Sequence, residues 1–283
     1  MKIGVLLDSL RLGLDEGLKA AAEMQADGVQ FFATRGATHP AQLDARGRAA
    51  LKRRLPDLGL ELAALCGDFG GHGFARVEEN PRRIDDSRRV LDLALELGTN
   101  VVTTHIGIVP AQKSHPRYAV LARACEELAR YGEAVGGTFA VETGPEPAAV
   151  LRAFLDDLGR PKGLGVNFDP ANLVMVINED PVAAVQALGP YIVHTHAKDG
   201  VNLKPVDAEK LYAAFAGEKV PGFLWTDYID ELPLGQGKVP WPKYLAALRA
   251  AKYDGYLTIE REMGDDRRGD VGRAVEFLRE LLV

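Results

Sequence analysis

Four side chains with acid, base or metal-binding chemistry stand at the ends of apolar, strand-like runs. They are Glu142 after "TFAV", Asp169 after "LGVNF", His196 in "YIVHTHA" and Glu260 after "YLTI". If they converge, three carboxylates and an imidazole would repel one another or be poorly solvated unless a cation lay among them. Oxygen ligands with one nitrogen suit Mn²⁺, Mg²⁺ or Co²⁺, and Zn²⁺ is less favoured because no thiolate is present. The residue types therefore predict one divalent metal site.

Eight apolar strand-like runs alternate with helical patterns along the chain. The runs lie at 2–8, 29–34, 60–66, 100–105, 138–142, 163–169, 191–197 and 256–260, and the helical patterns at 16–26, 42–55, 82–97, 117–135, 147–158, 181–188, 242–252 and 271–282. This rhythm, with no low-complexity linker, predicts an α/β chain that forms a single (β/α)8 TIM barrel over residues 1–283. A doubly wound sheet is the alternative, but its Gly-rich loop after the first strand is absent. The stretch at about 200–240 is interpreted as an extended irregular loop after strand 7, a lid or binding loop.

Side-chain alternation predicts which residues face the barrel interior, because adjacent strand residues point to opposite faces. The apolar set is expected to pack on the helices: Phe139, Val141, Leu164, Val166, Phe168, Val193, Leu257 and Ile259. The polar set then places Glu142, Asp169, His196 and Glu260 inside, at the carboxyl ends of the strands where such barrels carry their active sites. His194 is one pleat deeper than His196, so we expect it to line the barrel floor, where it is a candidate for contact with the substrate.

Several further residues are candidates for binding a substrate. His105 ends strand 4 on the interior face, and His72 lies in the Gly-rich "CGDFGGHGF" after strand 3. Lys198 and Asp199 follow His196 and either meet a substrate or are solvated loop charges. Aromatic residues could form an apolar wall over a sugar ring, with a core position as the alternative for the last of them: Trp225, Tyr228 and Trp241.

Composition narrows the class of protein. A net charge of -6 argues against a nucleic-acid partner, which usually requires a basic field. The two cysteines, Cys66 and Cys125, have no zinc-binding spacing and suggest small core residues in a reducing compartment. No uncharged apolar run approaches about 18 residues, and no signal-like segment opens the chain. We therefore expect a cytoplasmic protein that does not bind membranes.

Four segments together resemble the xylose isomerase-like TIM-barrel family. They are "VET" at 141–143, "NFDPANL" at 167–173, "HTHAKD" at 194–199 and "LGQGKVPWPKYLAALRAAKYDGYLTIERE" at 234–262. Ketose 3-epimerases and hydroxypyruvate isomerases of this family hold one divalent metal with Glu, Asp, His and Glu from strands 5 to 8. The resemblance maps these ligands onto Glu142, Asp169, His196 and Glu260.

The resemblance implies a metal-dependent isomerase or epimerase acting on a small sugar, a polyol-derived ketone or a sugar acid. Glu142 and Glu260 would be the catalytic pair, one removing a carbon-bound proton and the other returning one through an enediolate. The implied partner is a small carbohydrate, and a homo-oligomer is compatible with the family.

The sequence departs from the epimerase pattern at two positions. Asn172 stands where these epimerases often carry a substrate-binding histidine, and Asn202 where some carry an arginine. Asn172 can still hydrogen-bond a hydroxyl, but it does not titrate near neutrality.

Three other functions stay open on the sequence. The first is an inosose dehydratase-type lyase on the same metal site. The others are a non-catalytic sugar-binding barrel and an endonuclease IV-type nuclease. The nuclease is disfavoured because it needs three zinc ions and additional histidines, and residues 200–240 contain none.

Overall fold

Eight parallel strands close into a barrel in the computed structural model, which describes residues 1–283. They are β1 (Lys2–Leu6), β2 (Gly28–Phe32), β3 (Glu61–Cys66), β4 (Val101–Thr104), β5 (Thr138–Glu142), β6 (Leu164–Phe168), β7 (Ile192–Ala197) and, after two strands that lie outside the barrel, β10 (Tyr256–Ile259). Strands β1 to β7 pair in chain order, and β10 pairs with both β7 and β1 to close the barrel. The predicted fold, a single (β/α)8 TIM barrel, is confirmed.

Helices follow the barrel strands and surround the sheet. They are α1 (Leu14–Glu23), α2 (Ala45–Asp57), α3 (Asn80–Leu97), α4 (Pro116–Val135), α5 (Ala148–Asp157), α6 (Pro170–Asn172), α7 (Pro181–Leu188), α8 (Ala208–Phe215), α9 (Trp241–Ala250) and α10 (Arg267–Leu282). A π-helical turn, Leu173–Ile177, extends α6 beside the barrel mouth. None of these helices combines the length and the apolar character needed to cross a membrane.

The stretch at 200–240 is not the irregular loop that the sequence suggested. It contains most of β8 (Asp199–Asn202), all of α8, a 3₁₀ turn at Trp225–Asp227 and β9 (Ile229–Leu232), which pairs with β8 in an antiparallel ribbon. The two strands carry little sequence signal because β8 reads "DGVN", without an apolar alternation, and each has four residues. The segment follows β7 as predicted, and several of its side chains line the cavity at the barrel mouth.

Most of the barrel strands follow the predicted alternation between side chains that pack on the helices and side chains that face the barrel interior. Side chains of the apolar set are buried in the core: Phe139, Val141, Leu164, Val166, Phe168, Leu257 and Ile259. The same prediction is wrong for Val193, because 37% of it is exposed where it lies against Gly165 near the amino end of β7. The barrel interior holds the buried polar set: Gln30, Thr103, Asn167, His194 and Thr258. Both cysteines are buried and unpaired.

Candidate metal centre

The four predicted ligand residues come together at the carboxyl end of the barrel. Glu142 ends β5, Asp169 follows β6, His196 lies in β7 and Glu260 follows β10. One ligand atom from each residue lies within 4.8 Å of those of the other three. We call these four residues the acidic cluster. Parallel pairing brings the strand ends to the same level, since the Glu260 amide donates to the carbonyl of Ala197 at 3.1 Å.

The atoms of the acidic cluster are spaced around a small central volume. Nδ1 of His196 lies 3.6 Å from Oε2 of Glu142, 3.7 Å from Oδ2 of Asp169 and 3.3 Å from Oε2 of Glu260. Asp169 caps α6 through Oδ1, which accepts from the amides of Ala171 and Asn172 at 2.8 and 3.0 Å. This cap fixes the carboxylate so that its second oxygen faces the cluster.

Asp169 Oδ2 provides the test of whether these residues fit a cation. The atom is buried and has no hydrogen-bond partner in the chain. A buried carboxylate oxygen without a partner is costly, and native structures nearly always satisfy such an atom with a donor or a metal ion. A divalent cation among the four side chains would supply the missing interaction, so the residues present fit such an ion.

The ionisation of the acidic cluster reflects its crowded charges. Burial opposes protonation of His196, but the charges of Glu260 and Glu142 outweigh it and raise the pKa of the imidazole well above its ordinary value. Burial raises the pKa of Asp169. For Glu260, burial is overcome by Lys198 and His196, which hold its pKa well below the usual range. The carboxylates of the acidic cluster create a field negative enough to keep a proton on the buried imidazole of His196. The same field would stabilise a bound cation.

The floor beneath the acidic cluster is a buried hydrogen-bond network. Oε1 of Gln30 lies 3.1 Å from Nε2 of His194 and 3.2 Å from Nε2 of His196, while its amide nitrogen donates to Thr103 at 2.8 Å. His194 also contacts the hydroxyl of Thr258 at 3.0 Å and does not line the cavity above. Burial lowers the pKa of His194 well below its ordinary value, which keeps this imidazole neutral.

A cavity of about 410 Å³ opens above the acidic cluster. Four of the predicted substrate-binding residues line it: His105, Asn172, Lys198 and Trp225. Tyr212 and Phe215 of α8 add apolar surface on the same side. His72 does not line this cavity, and its Nε2 instead contacts Oε1 of Glu218 at 2.6 Å.

His105 and Asn172 both approach the same oxygen of Glu142. Nε2 of His105 lies 3.4 Å from Oε1 of Glu142, and the Asn172 amide donates to that oxygen at 2.9 Å. The other ring nitrogen of His105 contacts Asp68 at 3.2 Å. Burial opposes protonation of His105, but Glu142 and Asp68 together raise its pKa well above the ordinary value. Glu142 is therefore oriented from two sides.

Lys198 is a buried charge, not a solvated one. Its Nζ donates to Oε2 of Glu260 at 3.0 Å, contacts Glu262, and lies 3.7 Å from Glu231. Burial opposes the charged form, yet these carboxylates raise the pKa of Lys198 well above its ordinary value. Lys198 and His196 both contact Oε2 of Glu260, at 3.0 and 3.3 Å.

Asp199 supports the loop above the barrel and does not line the cavity. Its carboxylate accepts hydrogen bonds from the amides of Gly235 at 2.9 Å and Val239 at 3.1 Å, and from Nε1 of Trp241 at 2.9 Å. Trp241 is a core residue at the start of α9, the alternative that the sequence left open. Tyr228 stacks on Phe223, with ring centroids 4.9 Å apart, and lies outside the cavity lining.

Three side chains of the site were not identified from the sequence. Gln30 orients the imidazoles, Asp68 orients His105, and Glu231 lies 3.7 Å from Lys198. Gln30 had a usable signal, because it is a single polar residue at an interior position of the apolar strand "GVQFF". Glu231 lies in β9, which the sequence pattern did not reveal.

A known protein family matches nearly the full length of the chain. The family model described as xylose isomerase-like TIM barrel covers residues 18–281. No curated protein shows a significant match to the chain.

Solved structures resemble the whole chain. A xylose isomerase domain protein from Planctomyces limnophilus is 28% identical with a TM-score of 0.79, covering 99% of this chain and 96% of that one. A D-tagatose 3-epimerase-like protein is 22% identical with a TM-score of 0.75, covering 100% and 97%. A xylose isomerase-like TIM barrel protein from Mycobacterium smegmatis in complex with magnesium is 18% identical with a TM-score of 0.72, covering 99% and 96%. The last two likenesses show the fold alone. Because the family model matches almost the full length of the chain, the chain belongs to the xylose isomerase-like TIM barrel family.

Proposed function

We propose that this protein is a divalent-metal-dependent isomerase or epimerase of a small sugar, polyol-derived ketone or sugar acid. The observation that carries the proposal is the unpartnered, buried Oδ2 of Asp169 among Glu142, His196 and Glu260. Buried polar atoms of native proteins usually have a partner, and a cation among these four side chains would provide one for this oxygen. The cavity above the acidic cluster gives a small molecule access to it.

Glu142, Asp169, His196 and Glu260 would hold the ion. Three carboxylates and one imidazole favour Mn²⁺, Mg²⁺ or Co²⁺ over Zn²⁺, and one related structure contains magnesium. When bound, such an ion polarises a carbonyl and a neighbouring hydroxyl and so acidifies the intervening C–H bond.

Glu142 and Glu260 are the proton-transfer pair in this proposal. Burial acts to raise the pKa of Glu142, but the charges of His105 and His196 lower it, so the carboxylate is ionised near neutrality. Glu260 is ionised as well, held by Lys198. One carboxylate removes the proton beside the substrate carbonyl and becomes a carboxylic acid. The other must first take up a proton, which protonated His105 can give to Glu142 across 3.4 Å, before it returns one to the resulting enediolate. Trp225 and Phe215, whose ring centroids are 5.6 Å apart, form an apolar wall on one side of the cavity.

His105 favours a lyase as the second candidate. Expulsion of a β-hydroxyl begins with the same proton removal but needs an acid for the leaving group. His105 lines the cavity, and its raised pKa keeps it protonated near neutrality. An inosose dehydratase-type reaction therefore requires no additional residue. A three-zinc nuclease has less support, because the chain offers a single group of three or more potential ligands.

Proton exchange at carbon tests the proposal directly. Ketoses and sugar acids would be incubated with Mg²⁺-loaded protein in D₂O and followed by NMR. We expect deuterium beside the carbonyl and the loss of this exchange in Glu142→Gln and Glu260→Gln. Exposed Glu126→Gln on α4 is the matched control. A new stereoisomer supports the epimerase, while loss of water supports the lyase. Neither exchange nor turnover with a broad substrate set would contradict both.

A further inference from the structure

The segment at 203–228, which we call the flap, leaves the β8–β9 ribbon and returns to it at one point. β8 ends at Asn202, β9 begins at Ile229, and these two residues are partners in the antiparallel pairing. Next to them, the amide of Leu203 donates to the carbonyl of Tyr228 at 2.7 Å. Both ends of the flap are therefore joined at the end of the ribbon, which gives the flap a single attachment about which it can turn.

The flap packs mainly on itself. The ring centroids of Tyr212 and Phe215 lie 5.8 Å apart, and those of Phe215 and Trp225 lie 5.6 Å apart. Leu211 is the one residue of the flap that is buried. A segment that packs on its own side chains and buries little surface against the barrel can move as one body.

The flap crosses the barrel mouth to the side opposite β7. In the closed barrel β3 lies opposite β7, and Glu218 of the flap reaches the loop after β3. Its Oε1 lies 2.6 Å from Nε2 of His72 and accepts from Arg76 at 3.1 Å. Closer to the ribbon, Oε2 of Glu209 accepts from Arg117 at the start of α4, at 3.2 Å. Beyond the ribbon, these two glutamates make the hydrogen bonds of the flap to the rest of the chain.

In this position the flap fits over the cavity above the acidic cluster. Tyr212, Phe215 and Trp225 line that cavity. The hydroxyl of Tyr212 extends to the loop after β5, where a Cβ on Gly144 would lie 2.8 Å from it. Gly144 has a φ of 154° and no side chain, so it leaves the space that the hydroxyl occupies.

The contacts that hold the flap in place are exposed ion pairs. The side chains of Glu209 and Glu218 are 58% and 49% exposed. Ion pairs at such positions contribute little to stability and are screened by salt. The flap can therefore be released without disturbing the core of the barrel.

We propose that the flap is a hinged lid, which turns at the pair of Asn202 and Ile229 and is latched over the cavity by Glu209 and Glu218. The open flap admits a small molecule to the cavity, and the closed flap covers it with Tyr212 and its aromatic neighbours. The inference goes beyond the proposed function and requires neither a metal nor a substrate.

Double electron–electron resonance on the full chain measures the opening directly. Spin labels are attached at Lys219→Cys, next to the latch, and at Arg89→Cys on α3, because both positions are exposed. The native cysteines are buried and are replaced as Cys66→Ala and Cys125→Ala to leave two labels. We expect one dominant distance, which corresponds to the latched flap, and a minor longer distance.

The latch is broken from the barrel side, so that the sequence of the flap does not change. His72→Ala, Arg76→Gln and Arg117→Gln together should raise the share of the longer distance several-fold, because an exposed ion pair shifts such an equilibrium by up to about fivefold. Sodium chloride at about 1 M, where the Debye length is about 3 Å, should shift the intact latch in the same direction.

The matched control is Arg123→Gln, on the same helix as Arg117 but directed to Glu127. It should leave both distances and their shares unchanged. The lid is overturned if neither the combined variant nor salt changes the distances. The latch is overturned if the longer distance already dominates with all three partners present. Since the measurement contains no metal and no substrate, either result is independent of the proposed function, which the exchange in D₂O tests separately.

Discussion

The side-chain carbonyl of Gln30 lies 3.2 Å from Nε2 of His196, beneath the acidic cluster. A carbonyl oxygen can only accept, so this contact places a proton on Nε2 and directs Nδ1 toward the carboxylates of Glu142, Asp169 and Glu260. Metal-binding histidines are commonly fixed in this way by an acceptor behind the ring. Gln30 therefore selects the tautomer that the proposed metal site requires.

Gln30→Met should weaken the proposed metal site without removing a ligand. Methionine fills a similar volume but offers the imidazole proton no strong acceptor. Loss of such a supporting partner typically lowers metal affinity about 10–100-fold. Mn²⁺ calorimetry measures the effect, with Gln42→Met at an exposed position as control. Unchanged affinity in Gln30→Met would show that the ring orientation does not depend on this contact.

Lys198→Met should destabilise the metal-free protein and should make it bind Mn²⁺ more tightly. Removing one partner of a buried ion pair typically costs about 3–5 kcal/mol, and Glu260 would lose the cation at 3.0 Å. A bound divalent ion would compensate Glu260, so the loss should be smaller in saturating Mn²⁺. By linkage, the variant should bind Mn²⁺ more tightly than the unaltered protein. Urea unfolding with EDTA and with Mn²⁺ compares the two states, and equal losses would contradict this account.

Glu146 should make stability depend on pH. Burial raises the pKa of this carboxyl to about 8, although the Val109 amide donates to it at 3.0 Å. The folded chain therefore holds a proton that the unfolded chain releases near its ordinary value of 4.5. Between these two values the unfolded state binds fewer protons, so the free energy of unfolding should fall as pH rises. The maximum loss is on the order of 5 kcal/mol, because each tenfold change in proton affinity corresponds to about 1.4 kcal/mol.

Glu146→Gln should remove this slope and make the protein more stable at pH 8.5 than the unaltered chain. Glutamine keeps an acceptor for Val109 and does not ionise. Unfolding measured between pH 5 and 8.5 gives the comparison, with exposed Glu126→Gln as control. If the two variants show the same pH slope, the carboxyl of Glu146 does not titrate in this window.

Asp199→Asn should destabilise the segment at 235–241, which Asp199 holds above the barrel. The carboxylate accepts from three amides and an indole through both oxygens, and asparagine replaces one acceptor with a donor. We expect a loss of about 2–4 kcal/mol in the free energy of unfolding, because hydrogen bonds to charged groups are worth about 1.5–3 kcal/mol each. Chemical denaturation measures this loss. The control is Asp15→Asn at an exposed position, because the exposed Asp207 caps α8 and is unsuitable. If Asp199→Asn loses no more stability than Asp15→Asn, the assigned role of Asp199 is contradicted.

The barrel and the acidic cluster could be predicted from the sequence for one reason. Strict alternation along short parallel strands places Glu142, Asp169, His196 and Glu260 on one face at one end, whatever the details of packing. Val193 shows where the same rule fails, because alternation gives the face of a residue but not whether a helix covers it.

Contacts between elements distant in the chain could not be predicted in this way. Gln30 and His196 are far apart in sequence and meet because β2 and β7 face each other across the closed barrel. Lys198 could not be assigned, because its burial depends on β9, whose four residues carry no strand signal. Likewise, the pairing of His72 with Glu218 required the position of the segment after α8.

Mn²⁺ titration of the metal-stripped protein by calorimetry, beside Asp169→Asn, tests the central claim most directly. The account predicts one saturable ion per chain, and its loss or strong weakening when the unpartnered Oδ2 is replaced. Asp15→Asn, exposed on α1, should bind like the unaltered protein. Three zinc ions per chain would instead favour the nuclease. No saturable site with Mn²⁺, Co²⁺ or Zn²⁺, or equal binding by Asp169→Asn, would contradict the metal centre.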